Sequence, residues 1–207
     1  VPLDAVGFTS LTFTPVKYGV AVRITREMME DSQFDLMATN LQEIGKRFAE
    51  NETSLILTAL DGATNTVTGG AAATVANINT AALNLRNNDF EFTDLLVGDE
   101  FLSDLQNIDL FVEAQKAGDT EMMKTGFKGV IFVAKVQRFS TNAAPTTTYA
   151  KYAYAFDRRQ AYGIAIKRDI TVENYALPSC DMEAATITQR IAVKLLRPTS
   201  VSNITTT

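Results

Sequence analysis

The chain has no histidine in its 207 residues. That absence removes the commonest general base and the commonest metal ligand together. Neither a Ser-His-Asp nor a Cys-His arrangement can form, and a lone Ser or Cys nucleophile would lack its usual activating base. Cysteine occurs once, at Cys180, so no disulfide can close within one chain. That residue is expected to be a small buried hydrophobe. No apolar run approaches the roughly 18 residues that a membrane helix requires. No basic segment followed by an apolar one marks a signal peptide. EF-hand, P-loop and zinc-ligand spacings are all missing, so no catalytic, cofactor-binding or metal residue is assigned. The chain opens at Val1 without Met, as expected of a processed product or a trimmed chain.

What is present is ordinary for a folded protein. Hydrophobic residues make up 46% and charged residues 21%, which excludes a disordered chain. The length allows one substantial core, or one core with a small appended subdomain. A net charge of −5 argues against a surface built to wrap nucleic acid.

Periodicity then orders the chain. Residues 1–15 are apolar and Thr-rich and read as an extended arm. Val16, Tyr18, Val20, Val22 and Ile24 alternate with more polar positions, predicting a half-buried strand. Thr25 can cap a single turn over Arg26–Glu30. A long helix follows over Gln33–Leu60, opened by Ser32 and Asp35 as a weak capping box and stopped at Asp61-Gly62. Phe34, Met37, Leu41, Ile44, Phe48 and Leu55 fall on its apolar stripe, broken for one turn at Asn51-Glu52. At about 28 residues it would run about 42 Å. A compact sphere of this chain is only about 43 Å across, so a flat plate suits the helix better than a globule does.

The Thr-, Asn- and Gly-rich residues 61–80 read as a mobile connecting loop. Beyond them the pattern predicts a short helix over Thr80–Arg86, a strand over Phe92–Val97 and a helix over Asp99–Gln106. A Gly- and Lys-containing loop over Gly118–Gly129 precedes a central buried strand over Val130–Val136. Tyr152, Tyr154 and Phe156 share a strand face that reaches a turn at Asp157–Gln160. A returning strand carries Tyr162, Ile164, Ile166, Ile170 and Val172. A last strand carries Ile187, Ile191, Val193 and Leu195 and ends at Pro198. Strand, long helix, mixed insert and strands again make an α+β arrangement.

Few residues offer chemistry. Glu27, Glu30 and Asp31, and Asp99, Glu100 and Asp104, are acid clusters, but each sits at a helix start where the helix dipole accounts for it. Gly126-Phe127-Lys128-Gly129 is similar to a loop that clamps nucleotide backbones, without the flanking helices such a loop needs. Arg158-Arg159 and Lys167-Arg168 form a small basic region, read as a solvated turn or a rim of inter-subunit ion pairs before a phosphate site. Asn51-Glu52-Thr53 matches a glycosylation acceptor but lies within a helix. Tyr149 with Tyr152, Tyr154 and Phe156 reads as a packed sheet face. The pattern is not that of an enzyme.

The run KYGVAVRITREMMEDSQFDLMATNLQEIGKRFAENETSLILTALDGA resembles the start of tailed-phage major capsid proteins of the Hong Kong 97 type. The shared order is a strand, a Thr, an Asp-terminated turn, a long spine helix, an acid near its end and a Gly-containing loop. Thr25, Asp31, Glu52 and Gly62 occupy those places. TGFKGVIFVAKV resembles the strand entering the axial domain. FDRRQAYGIAIKRDITVENY and ATITQRIAVKLLRPTSV resemble the return into the peripheral domain. The resemblance spans about residues 11–204.

It implies an N-terminal arm over residues 1–15, a peripheral domain over 16–77 and 166–207, and an axial domain over 78–165. It also implies a major capsid protein that assembles as pentamers and hexamers into an icosahedral virion shell around double-stranded DNA, formed in the host cytoplasm and without a membrane. Portal, scaffold, protease and decoration proteins are the partners it implies, and the arm would reach over a neighbour. Only some 15 residues precede the strand at Val16, where the family carries a longer arm and an extended hairpin loop, so no cross-linking residues are assigned. An encapsulin-type nanocompartment shell is an alternative that particle contents would separate. A carboxylate-dependent enzyme or a monomeric binding domain is a further alternative, separable by sedimentation.

Overall fold

In this computed structural model the described residues are 10–33, 35–107, 130–131 and 134–206. The elements run in the order strand β1 (Val16–Thr25), helix α1 (Arg26–Asp31), helix α2 (Leu36–Leu60), strand β2 (Asn65–Thr68) and helix α3 (Val75–Arg86). Strand β3 (Asp94–Val97), helix α4 (Asp99–Gln106), and strands β4 (Val130–Ile131) and β5 (Ala134–Arg138) come next. Strands β6 (Tyr152–Phe156), β7 (Tyr162–Leu177), β8 (Met182–Leu195) and β9 (Val201–Thr205) complete the chain.

Two sheets result. One has three strands in the order β1-β8-β7, all antiparallel, and the other has six in the order β2-β9-β6-β3-β5-β4. Strands β7 and β8 form a long hairpin whose tip is Pro178–Cys180 followed by Asp181, which holds φ at 47°. Thr25 caps α1 as expected, its side chain accepting from the Met28 amide. Burial places Ile44 and Phe48 of α2 against Ala185 and Ile187, so the helix lies over the central strand β8.

The spine helix starts three residues later than the sequence predicts. Asp35 is its N-cap and accepts from the Ala38 amide at 3.0 Å. A carboxylate at that position satisfies a free helix donor, which sets the start at Leu36. The 25 residues of α2 then span about 38 Å. Phe34 of the expected stripe lies outside the described residues. Beyond Glu52 the buried positions are Leu57 and Leu60, not Leu55. The helix leaves the first sheet there and presents a different face to the second, packing with Tyr154, Phe156 and Val201.

Residues 61–80 are not simply a loop. Strand β2 pairs in parallel with β9, Thr66 opposite Asn203. Helix α3 begins at Val75, capped by the Thr74 side chain on the Asn77 amide. Long-range pairing and burial of Ile78, Ala81, Ala82 and Leu85 override a composition that reads as loop. The single strand expected over Val130–Val136 is instead two short antiparallel strands, Val130 opposite Lys135 and Ile131 opposite Ala134, with β4 at the sheet's edge.

Strand β7 is not a return partner of β6. The turn after Phe156 is held by Asp157, whose carboxylate accepts from the Arg159 amide and whose carbonyl accepts from the Gln160 and Ala161 amides. It carries the chain from one sheet to the other. The six-stranded sheet therefore draws β2 and β9 from outside residues 78–165, so the sheets cross the domain boundaries expected from the sequence. The described part of the arm lies on its own hairpin: the Thr12 carbonyl accepts from Lys194 at 3.0 Å, and the Phe13 ring closes on Gly163.

Candidate functional site

The first sheet and α2 form a plate whose stiffness comes from two fastenings. At mid-length the Gln189 side chain on β8 donates to the Glu52 carboxylate. This hydrogen bond accounts for the polar break in the apolar stripe, and it makes Asn51-Glu52-Thr53 part of a packed helix. At the far end Asp61, the C-cap of α2, accepts from Tyr149 at 2.8 Å and from Tyr154 at 3.3 Å. Burial, reinforced by the Asp61 carboxylate, pushes both phenols well above their ordinary range. Both tyrosines come from the second layer, so the helix end is tied to it. The aromatic set reads as packed here: Tyr149 and Tyr152 rings lie 5.1 Å apart.

On the plate's helix side, α2 covers the middle strand together with Tyr18 and Val22 of β1, and Ile24 is buried, but Val16 and Val20 of β1 and the β7 row stay exposed. Val16 and Val20 on β1 stand opposite Ile191 and Ile187; Ile164, Ile166 and Val172 on β7 stand opposite Val193, Ile191 and Ile187. The register of β7 slips once between Ile166 and Arg168 and again between Arg168 and Thr171. The two slips together restore the alternation, so the β7 row stays on one face. These five aliphatic side chains are 43–56% exposed. Both β1 and β7 are also sheet edges, with unpaired backbone groups along them. Exposed apolar rows beside open edges are features of a surface made to be covered.

The acid clusters do not become catalytic pairs. Burial raises the Asp99 carboxyl, but hydrogen bonds from the Thr141 hydroxyl and amide and from Arg138 outweigh it and hold the group below its usual range. Asp104 accepts from the Ala73 amide at 2.9 Å and fastens the loop before α3. Glu27, Glu30 and Asp31 stay on exposed α1. Among the described residues no three His, Cys, Asp or Glu side chains group to hold a metal, and no helix is long and apolar enough to cross a membrane. Gly126–Gly129 and most of the Gly118–Gly129 loop lie outside the described residues. Cys180 is exposed, not buried, because it sits on the hairpin tip where no described residue packs over it.

The basic region is divided. Lys167-Arg168 fall at the first register shift of β7. Arg158 and Arg159 instead join Arg86 and Lys135 around a cleft of about 600 Å³. Phe90 and Phe92 also line that cleft, and the Arg197 guanidinium stands 5.9 Å over the Phe90 ring. Arg86, Lys135 and Arg197 are isolated cations in the sequence, and no local pattern gathers them.

Comparison with known proteins agrees with this architecture. A family profile described as phage capsid protein matches residues 9–178. No curated protein sequence matches. Among solved structures, that of Mycobacterium phage Che8 superposes with a TM-score of 0.77 at 17% identity, over 99% of this chain and 76% of that one. The head structure of Helicobacter pylori bacteriophage KHP40 gives 0.77 at 14% identity, over 94% and 75%. The capsid structure of the cyanophage P-SCSP1u gives 0.71 at 13% identity, over 99% and 81%. A spine helix laid along a long hairpin, a second mixed sheet, and a profile match over most of the length place the chain in the phage capsid protein family, as a major capsid protein that forms the shell.

Proposed function

We infer that the protein is the repeating tile of an icosahedral virion shell enclosing a double-stranded DNA genome, assembled as pentamers and hexamers in the host cytoplasm, and that it has no enzymatic activity. The observation that carries this reading is the exposed apolar row of β7, with exposed Val16 and Val20 of β1, beside α2 on a plate fastened at Glu52–Gln189 and Asp61–Tyr149. A stiff body with exposed apolar surface beside its spine gains free energy by burying that surface against copies of itself, and such heterologous contacts repeat until they close. The three-stranded sheet with α2 serves as the peripheral plate, and the six-stranded sheet with α3 and α4 as the axial wedge between neighbours around the symmetry axes. Drawn along the sheets, the wedge includes β2 and β9. Portal, scaffold, protease and decoration proteins are the partners such a tile meets.

The test is sedimentation and negative-stain microscopy of the purified chain, followed by nuclease protection of particle contents. Closed shells and protected double-stranded DNA in virions support the reading. A stable species at 22.6 kDa, the mass of one chain, overturns it. A co-purifying enzyme in place of nucleic acid overturns the genome part alone.

A further inference from the structure

The cleft at the base of the hairpin and the small helix at its tip are complementary. In the cleft, Phe90 and Phe92 form an apolar floor, and Arg86, Lys135, Arg158 and Arg159 stand around it. Glu91 and Asp94 are the acids on the same wall. Asp94 is buried and accepts from the Thr93 hydroxyl at 2.9 Å. None of the four cations has an ion-pair partner among the described residues. With Arg197 beside Phe90, the site carries an excess of positive charge on a chain that is negative as a whole.

At the other end, α1 offers the opposite arrangement. Met28 is 57% exposed, among the highest values for large apolar side chains of the described residues. Glu27 and Asp31 are its neighbours around the turn and Glu30 lies toward the far side, all three exposed. Arg26, the one cation of α1, is engaged by Asp181: its side chain lies 3.4 Å from that carboxylate and its amide donates to the Asp181 carbonyl. That contact fixes α1 to the hairpin tip, and among the described residues no cation pairs with the α1 acids.

These two surfaces cannot meet within one chain. Arg158 and Arg159 precede Tyr162 at the base of the hairpin, and Asp181 is at its tip. The 14 residues of β8 that separate them span about 45 Å. Resting on the assembly reading above, we propose that the α1 knob of one copy docks into the basic cleft of a second copy, Met28 on the Phe90–Phe92 floor and the adjacent Glu27 and Asp31 against the surrounding arginines and lysine. The contact is head-to-tail, the kind that propagates around a ring or shell. Its layout is an apolar anchor in a pocket with charges at the rim, where opposite charges set register and reject wrong partners. Packaged DNA is the competing occupant by charge. It lacks a counterpart to the apolar floor, whereas Met28 supplies one.

The test is a charge swap in the full-length chain. Glu27→Lys/Asp31→Lys and Arg158→Glu/Arg159→Glu are each expected to lower the yield of sedimenting shells by about tenfold or more, because like charges then face each other. The chain carrying all four substitutions is expected to recover most of the wild-type yield, which also shows that the single-surface variants fold. A second readout uses Met28→Cys with Arg159→Cys in a Cys180→Ser background. A disulfide requires Cα atoms within about 7 Å, so an oxidised ladder of linked chains reports a contact between copies.

Four-site recovery and cross-linking support the proposal. Shells that form equally well from every variant, with no ladder, overturn it while leaving the capsid reading intact. Normal shells from Arg158→Glu/Arg159→Glu that have lost binding of duplex DNA or inorganic phosphate also overturn it and assign the cleft to an anion. A wild-type chain that remains monomeric at every concentration overturns both.

Discussion

The Tyr149 hydroxyl donates to Oδ2 of Asp61 across 2.8 Å, joining the end of the spine helix to the second sheet. An acidic residue at a helix C-terminus is disfavoured by the helix dipole. Here the carboxylate is retained because it also accepts from Tyr154 at 3.3 Å, which fixes the angle between plate and wedge. Asp61→Ala leaves both buried hydroxyls without their acceptor, at a cost of about 1–3 kcal/mol for each unsatisfied group. Urea denaturation of the subunit is expected to show that loss. Tyr149→Phe in an Asp61→Ala background is expected to cost far less than it does alone, because the two share one interaction.

The same joint predicts an alkaline limit. Burial, with Asp61 alongside, holds the Tyr149 and Tyr154 phenols neutral well above the ordinary value of 10.0. The folded state therefore keeps its phenolic protons where the unfolded chain releases them, and stability falls as the unfolded chain gains that advantage. The contribution is full below pH 10.0 and is lost progressively above it as pH rises toward the folded-state values. Thermal melting followed against pH, together with phenolate absorbance, checks this. Tyr154→Phe is expected to flatten the alkaline decline, and an unchanged profile would contradict the assignment.

Gly98 marks a close approach of backbones. It caps α4 with an ordinary φ of −76°, so its conformation does not require glycine. Its surroundings do: an added Cβ would sit 2.4 Å from the carbonyl oxygens of both Tyr149 and Ala150. Those oxygens belong to main chain held beside the Asp61 joint and cannot yield as a flexible side chain would. Gly98→Ala is expected to destabilise the subunit by about 1–3 kcal/mol, the usual range for overpacking. Gly45→Ala on α2 is the control, since a Cβ added there would meet nothing within 4 Å, and the helix gains about 0.5–1 kcal/mol. Paired denaturation curves separate the two.

Local chemistry made much of this fold readable. Thr25 and the acids after it announced α1, and Asp99–Gln106 forms a helix over the expected span. The α2 stripe held through Ile44 and Phe48, because one sheet faces that part of the helix. It failed at Leu57 and Leu60 because a second body takes over there, and a single periodicity cannot anticipate two partners. Strand β2 escaped notice for a related reason: Asn65–Thr68 has little apolar content and exists as a strand through its parallel pairing with β9 across more than half the chain. The turn at Asp157 was legible as a turn, yet nothing local tells a hairpin from a passage between sheets. Surface character was the least accessible. The β7 alternation is plain in the sequence, but its exposure depends on α2 being too narrow to cover three strands.

That exposure leads to the most direct test of the apolar rows as assembly surface. Ile164 and Ile166 are 47% and 56% exposed, so replacing them removes little buried area from the isolated subunit. Ile164→Ser/Ile166→Ser is therefore expected to change subunit stability by only about 0.5 kcal/mol per site, the range of ordinary surface substitutions. In a shell each side chain would be buried between copies, where a fully buried aliphatic side chain is worth about 1.5–3 kcal/mol. Because every copy repeats the contact, a loss of that size is expected to raise the protein concentration needed for assembly by about tenfold or more. Light scattering against concentration measures that threshold, and urea denaturation of the unassembled variant measures the subunit. A variant that assembles at the wild-type threshold would show that the β7 row faces solvent in the finished particle. A variant that unfolds readily as a subunit would show instead that the row stabilises the plate itself.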